Sequence, residues 1–230
     1  NIYARRAIIS MINNLLTASN ESQRLANKFI DSPEISIREN DGNDYLIDSL
    51  LAKQPKTQFP YLDTSEDVKN RIESFLNNAK QSSEKEIEVN YNTKFKKVSK
   101  GLKNKINEIV NTDSGVANAK EFLIDLDQQL KMFYSEMKSE EDDFKSRLKN
   151  LELQMEEDVN YLTGNKGWGN IFKSAEIKST RESLSDNVNK RGEYSNEILR
   201  RQFAQKLLNQ LTSDVQTYSE NIQILTQRLA

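Results

Sequence analysis

The chain has 230 residues but neither cysteine nor histidine. Disulfides and thiol chemistry are thereby excluded, as are ordinary zinc sites, which draw on thiolate and imidazole. Nucleophilic catalysis by a serine or cysteine with a histidine base is excluded with them. Proline is scarce: all three fall in one window, at Pro33, Pro55 and Pro60. Of the seven glycines, three sit between Gly164 and Phe172, beside the single tryptophan, Trp168. No run approaches the roughly 20 apolar residues of a membrane span. The most apolar stretch, Ile8 to Leu16, is interrupted by Asn13 and Asn14. Neither sign of charge dominates, with 33 basic and 35 acidic residues and a net charge of −2. Such a balance gives no global attraction to nucleic acid or anionic lipid. A cysteine-free chain fits a reducing cytosol, so a cytoplasmic location is the expectation.

What remains is a periodic helical pattern. Hydrophobic residues make up 36% and charged residues 30% of the chain, the signature of a thin apolar stripe on a wetted surface rather than of a compact globule. A first helix is predicted from Ile2 to Ile30, stopped by Pro33, and a short one from Tyr45 to Lys53. A long helix then starts near Ser65, where Thr64 and Asp67 resemble a capping box with Asp in place of the usual Glu. Its stripe reads Val68, Ile72, Phe75 and Ala79, passes a polar gap, and resumes at Ile87, Tyr91, Phe95, Val98, Leu102, Ile106 and Ile109. Spacings of three and four alternate, which is the heptad rule. At about 1.5 Å per residue this helix spans roughly 65–70 Å.

Asn111 to Gly115 reads as a tight reversal, with Asp113 or Ser114 capping the next helix. The stripe of that helix runs Ala119, Phe122, Leu126, Leu130, Phe133, Met137, Phe144, Leu148, Leu151, Met155, Val159 and Leu162. Gly164 is placed just past its end. A last long helix starts near Ser174. Its first half has only Ile177, Leu184 and Val188 as regular apolar positions; its second half carries Ile198, Phe203, Leu207, Leu211, Val215, Tyr218, Ile222, Leu225 and Leu229.

Helices this long with one narrow stripe are unstable alone, and a short loop makes two of them antiparallel neighbours. The expected fold is all-α: an elongated bundle of three long antiparallel coiled-coil helices, with the shorter N-terminal helices packed at its base. The expected divisions are 1–64 for those helices and an irregular linker, 65–162 for the hairpin, and 163–230 for the Gly/Trp loop and last helix, all in one continuous domain. In the hairpin, Phe95 should lie level with Leu130 to Phe133, and Ile72 near Met155.

Few residues offer chemistry. Lys94, Lys96, Lys97, Lys100, Lys103 and Lys105 form a cluster free of acids, a candidate contact for an anionic surface. Its competing reading, a solvated helix face, is preferred, since only Phe95 is aromatic there and the stripe claims it. Glu140 to Asp143, with Glu152, Glu156, Glu157 and Asp158 beyond, is read as a solvated acidic face, because consecutive helical residues point apart and do not converge on a cation. Gly164 to Gly169 lacks the Lys-Ser/Thr that a P-loop needs after its last glycine and the strand before it, so no nucleotide or other cofactor is expected. Trp168 and Phe172 are candidate partner contacts or plugs for the bundle end. A narrow bundle is expected to offer no cavity of the usual few hundred Å³, and no enzymatic activity is expected.

The stretch Gly115-Val-Ala-Asn-Ala-Lys-Glu-Phe-Leu-Ile-Asp-Leu126 resembles the start of a coiled-coil segment in large bacterial tubulin-like proteins. That resemblance implies a helical appendage, with the GTPase elsewhere, since none of the tubulin nucleotide-binding motif is in this chain. In helix length and layout alone the chain also looks like BAR-type membrane scaffolds, with the lysine cluster as their lipid contact. The preferred expectation is a non-catalytic stalk, spacer or protein–protein interaction module. Asn1 in place of methionine, and a stripe that runs to the last residue, lead to the expectation of a piece of a longer protein. Its expected partners are proteins, or itself through coiled-coil surfaces, and no nucleic acid.

Overall fold

The computed structural model describes residues 64–112, 115–164 and 173–229. Nearly all of them are helical, in three elements: α1 (Ser65–Val110), α2 (Gly115–Gly164) and α3 (Ser174–Leu229). Their 46, 50 and 56 residues contain no proline, so nothing removes a backbone donor along their length. The protein is all-α over the described residues. The expected helices at Ile2–Ile30 and Tyr45–Lys53, the capping by Asp113 or Ser114, and the loop with Trp168 and Phe172 lie outside the described residues.

The start of α1 follows the capping logic with one change. The Asp67 amide donates to Thr64 Oγ1 at 3.3 Å, and the Thr64 hydroxyl donates to Asp67 Oδ2 at 2.6 Å. In a capping box the longer Glu reaches back to the backbone amide of the cap; here the Asp carboxylate accepts a hydrogen bond from the Thr64 hydroxyl instead. The Asp67 amide, one of the orphan donors of the first turn, is satisfied either way.

The turn into α2 is set by Gly115. Thr112 holds the end of α1 through its amide and hydroxyl, both donating to the Ile109 carbonyl at 3.2 and 2.7 Å. The Gly115 amide donates to the Thr112 carbonyl at 2.8 Å. A Cβ on residue 115 would run into the main-chain carbonyls of Ile109 and Val110. Main chain cannot step aside as a flexible side chain can, so only glycine fits at this position. At the far end α2 takes in Gly164 as its last helical residue, two positions beyond the expected stop at Leu162, a difference within the fraying of helix ends.

The helices contribute to two compact units, each with its own core. The described residues of the first are 85–112, 115–142 and 199–229. Its core joins Ile87, Tyr91, Val98, Leu102 and Ile106 of α1 to Ala119, Phe122, Leu123, Leu126 and Leu130 of α2 and to Leu199, Leu207, Leu208, Leu211, Val215 and Ile222 of α3. Phe95 and Phe133 pack against that cluster, and Tyr91 stacks on Phe203 with ring centroids 6.1 Å apart. The described residues of the second are 64–84, 143–164 and 173–198. Val68 and Ile72 of α1, Met155, Val159 and Leu162 of α2, and Leu184 and Val188 of α3 form its core. Each such aliphatic side chain, taken out of water, contributes about 1.5–3 kcal/mol.

Candidate functional site

Three features of the described residues bear on function: two sets of buried polar groups, a groove, and the lysine face.

The acidic stretch of α2 departs from expectation at two positions. Glu141 is 3% and Asp158 6% exposed, so neither belongs to a solvated face. In the first unit, Glu141 accepts bonds from the Gln202 and Gln205 amides at 3.0 and 2.6 Å, and the Lys138 ammonium lies 3.5 Å away. In the second, Asp158 accepts from Gln154 at 3.1 Å, Ser183 at 2.8 Å and Asn187 at 3.4 Å. These donors make burial of a carboxylate tolerable. For Glu141 a signal is present in the stripe, as a gap. Met137 and Phe144 are seven apart, and the missing heptad position between them is Glu141. Ser83, 1% exposed, fills the gap between Ala79 and Ile87 in the same way.

The remaining acids of that stretch are largely engaged. Glu140 pairs with Arg201 at 2.9 Å, Asp142 with Lys138 at 3.3 Å and Asp143 with Arg147 at 2.8 Å. The hydrogen bond from Lys138 to Asp142, helped by the nearby Glu141 charge, raises the lysine's pKa above its usual value. Two tyrosines are raised as well. Tyr161 donates its hydroxyl to Glu176 at 2.8 Å, a bond that exists only in the neutral form. Tyr218 is raised by burial first and by the Asp214 charge second.

A groove of about 380 Å³ opens in the second unit, contrary to the expectation that a narrow bundle offers no such volume. Ile72, Met155 and Val159 form its floor, and Lys69, Glu73, Glu152, Glu156 and Arg191 stand at its rim. The rim is already paired. Lys69 meets Glu156 at 2.8 Å, and Arg191 reaches Glu73 at 2.8 Å and Glu152 at 2.9 Å. One guanidinium thus ties α3 to both α1 and α2, a task its forked donors suit. The groove is open to solvent.

The lysine cluster lies on α1 in the first unit. Lys96, Lys97, Lys100 and Lys103 are exposed, while Lys105 is half-buried and pairs with Glu108 at 3.1 Å. The Lys94 side chain, like Trp168 and Phe172, lies outside the described residues. The opposite side of the same helix carries Val98, Leu102 and Ile106, buried in the core.

Among the described residues, no group of three or more carboxylates is arranged to hold a metal ion, and no helix is long and apolar enough to cross a membrane. The described residues form an all-α bundle in which the buried carboxylates of Glu141 and Asp158 are bonded by neighbouring side chains. No family model, curated protein or solved structure matches the chain. The resemblance of residues 115–126 to tubulin-like coiled coils therefore rests on those residues alone.

Proposed function

We propose that the protein is a non-catalytic coiled-coil spacer or protein-interaction module, whose three helices run antiparallel, up, down and up. The observation that carries this reading is the direction of the side-chain pairs. Within the second unit, Lys69 meets Glu156 while Arg191 joins Glu73 to Glu152: residue numbers rise on α1 as they fall on α2. Between α2 and α3 of the same unit, Tyr161 meets Glu176, Asp158 meets Ser183 and Glu152 meets Arg191: residue numbers fall on α2 as they rise on α3. Apolar positions three and four apart fill both cores, as a coiled-coil seam requires.

Support for a non-catalytic role comes from how the polar side chains are spent. Glu141, Asp158 and Arg191 are each bonded to neighbouring helices, which fixes register and leaves none of them addressed to a substrate. Buried polar groups of this kind are best attested as devices for specifying alignment. A module of this sort acts by holding other parts apart or by presenting a helical face to a protein partner or a second copy.

Size-exclusion chromatography with light scattering tests the proposal. A mass near 26.6 kDa with a hydrodynamic radius well above that of a compact protein is the expected result. Twice that mass with a large radius assigns the helical faces to self-association. A radius matching a compact globule of the measured mass overturns the spacer reading.

A further inference from the structure

The acidic and basic runs of the sequence have unlike fates. The acids of residues 140–143 are buried or paired on the protein itself. Lys96, Lys97, Lys100 and Lys103 are exposed and make no ion pair with a described residue. Lys96, Lys100 and Lys103 stand on successive turns at spacings of four and three, so they share one stripe. Along the axis they cover about 10 Å, roughly one Debye length at physiological salt, so their fields add. Lys97 flanks the stripe. Val89, seven residues before Lys96 and therefore on the same side, is 68% exposed and adds an apolar foot. Asp214 of α3 meets Ser99 on the flank of this stretch at 3.5 Å rather than a lysine.

We propose that this face of α1 docks the protein onto an anionic lipid surface. The chemistry favours lipid over other polyanions. The face has no arginine, whose fork reads phosphate pairwise, and no exposed aromatic ring on which a base could stack. Against an acidic helix, each exposed ion pair contributes little. At a bilayer rich in anionic headgroups, each lysine near the surface strengthens binding about fivefold, so the four together supply a factor of several hundred. Lysine suits a diffuse layer of charge: its ammonium is a mobile point charge on a long stem. The proposal is independent of the spacer reading, since a spacer that ignores membranes would still be a monomer of large radius.

The test is sedimentation of the full 230-residue chain with vesicles of phosphatidylcholine alone or with about three-tenths phosphatidylserine. Three proteins are compared: wild type; a face variant with Lys96, Lys97, Lys100 and Lys103 each changed to Gln; and a control with the exposed Lys120, Lys149, Lys178 and Lys190 changed to Gln. Both variants lose the same charge, and circular dichroism checks that both keep wild-type helicity. Wild type should bind the anionic vesicles and not the neutral ones, and rising salt should release it. The face variant should lose about a hundredfold or more in partitioning, and the control less than about threefold. Failure of wild type to bind, equal binding by the face variant, or equal loss in the control would overturn the proposal. A duplex oligonucleotide that displaces the protein from vesicles through the same lysines would overturn the lipid assignment in favour of nucleic acid.

Discussion

Gln205 of α3 donates its side-chain amide to the Glu141 carboxylate of α2 across 2.6 Å, at a place where Glu141 is 3% exposed. Removing the donor leaves a buried charge short of a partner. Gln205→Ala should therefore cost about 1.5–3 kcal/mol in urea denaturation. The double variant Glu141→Leu/Gln205→Leu should cost less than that, or stabilise, because it removes the carboxylate and its closest donor together. The paired measurement separates a register device from a pillar of stability. If the double variant proves the more damaging of the two, the polar pair is a net stabiliser and its role in register fails.

The Arg191 guanidinium ties three helices together, through Glu73 and Glu152. Arg191→Ala should destabilise the fold by about 1–3 kcal/mol. Arg191→Lys keeps the charge but presents one ammonium to two carboxylates, and it should recover less than half of the loss. Full recovery by lysine would show that charge alone matters there.

Gly115 begins α2 where a Cβ would meet the main chain of Ile109 and Val110. Gly115→Ala should lower stability by about 1–3 kcal/mol, the usual cost of overpacking. In an ordinary helix the same change stabilises, because alanine is the better helix former. A thermal shift upward in the variant would mean that the turn has room for a methyl group.

Tyr161 and Tyr218 both have pKa values raised above the ordinary one of about 10. Their neutral forms are favoured by folding, so their contribution is fully present below about pH 10 and is lost as pH rises through the folded values. An ultraviolet titration of tyrosinate should show a late component after the bulk of the eight tyrosines. Tyr161→Phe and Tyr218→Phe should each remove part of it. If neither shortens the late component, the Glu176 hydrogen bond and the burial of Tyr218 do not persist in solution.

The helices were legible in the sequence because their cause is local. Absent proline and an apolar residue every three or four positions are enough to place α1 from Ser65 and α3 from Ser174. Thr64 with Asp67 marked the first cap for the same reason. A gap in the stripe marks Glu141, but what the buried acids bind was not legible, because their partners are distant in sequence. Glu141 reads as surface until Gln202 and Gln205 are brought beside it, and Asp158 until Ser183 and Asn187 are. Composition even argued the wrong way, since four acids in a row look solvated. The groove above Ile72 and Met155 was hidden for a related reason: a stripe gives the inward face of each helix but not the gap left between two outer ones. The lysines stood out at once but could not be weighed. Their significance depends on which acids are already engaged, and only the pairing of Glu140, Asp142 and Asp143 in the folded chain answers that.

The reading as a spacer depends most on α1 and α2 running in opposite directions. Carbodiimide, which joins a lysine directly to a carboxylate in contact with it, tests this without any mutation. The Lys69 ammonium lies 2.8 Å from Glu156, so mass spectrometry of the monomer fraction should find an amide between those two residues. A cross-link from Lys69 to the start of α2, at Glu121 or Asp125, with none to Glu156, would contradict the account.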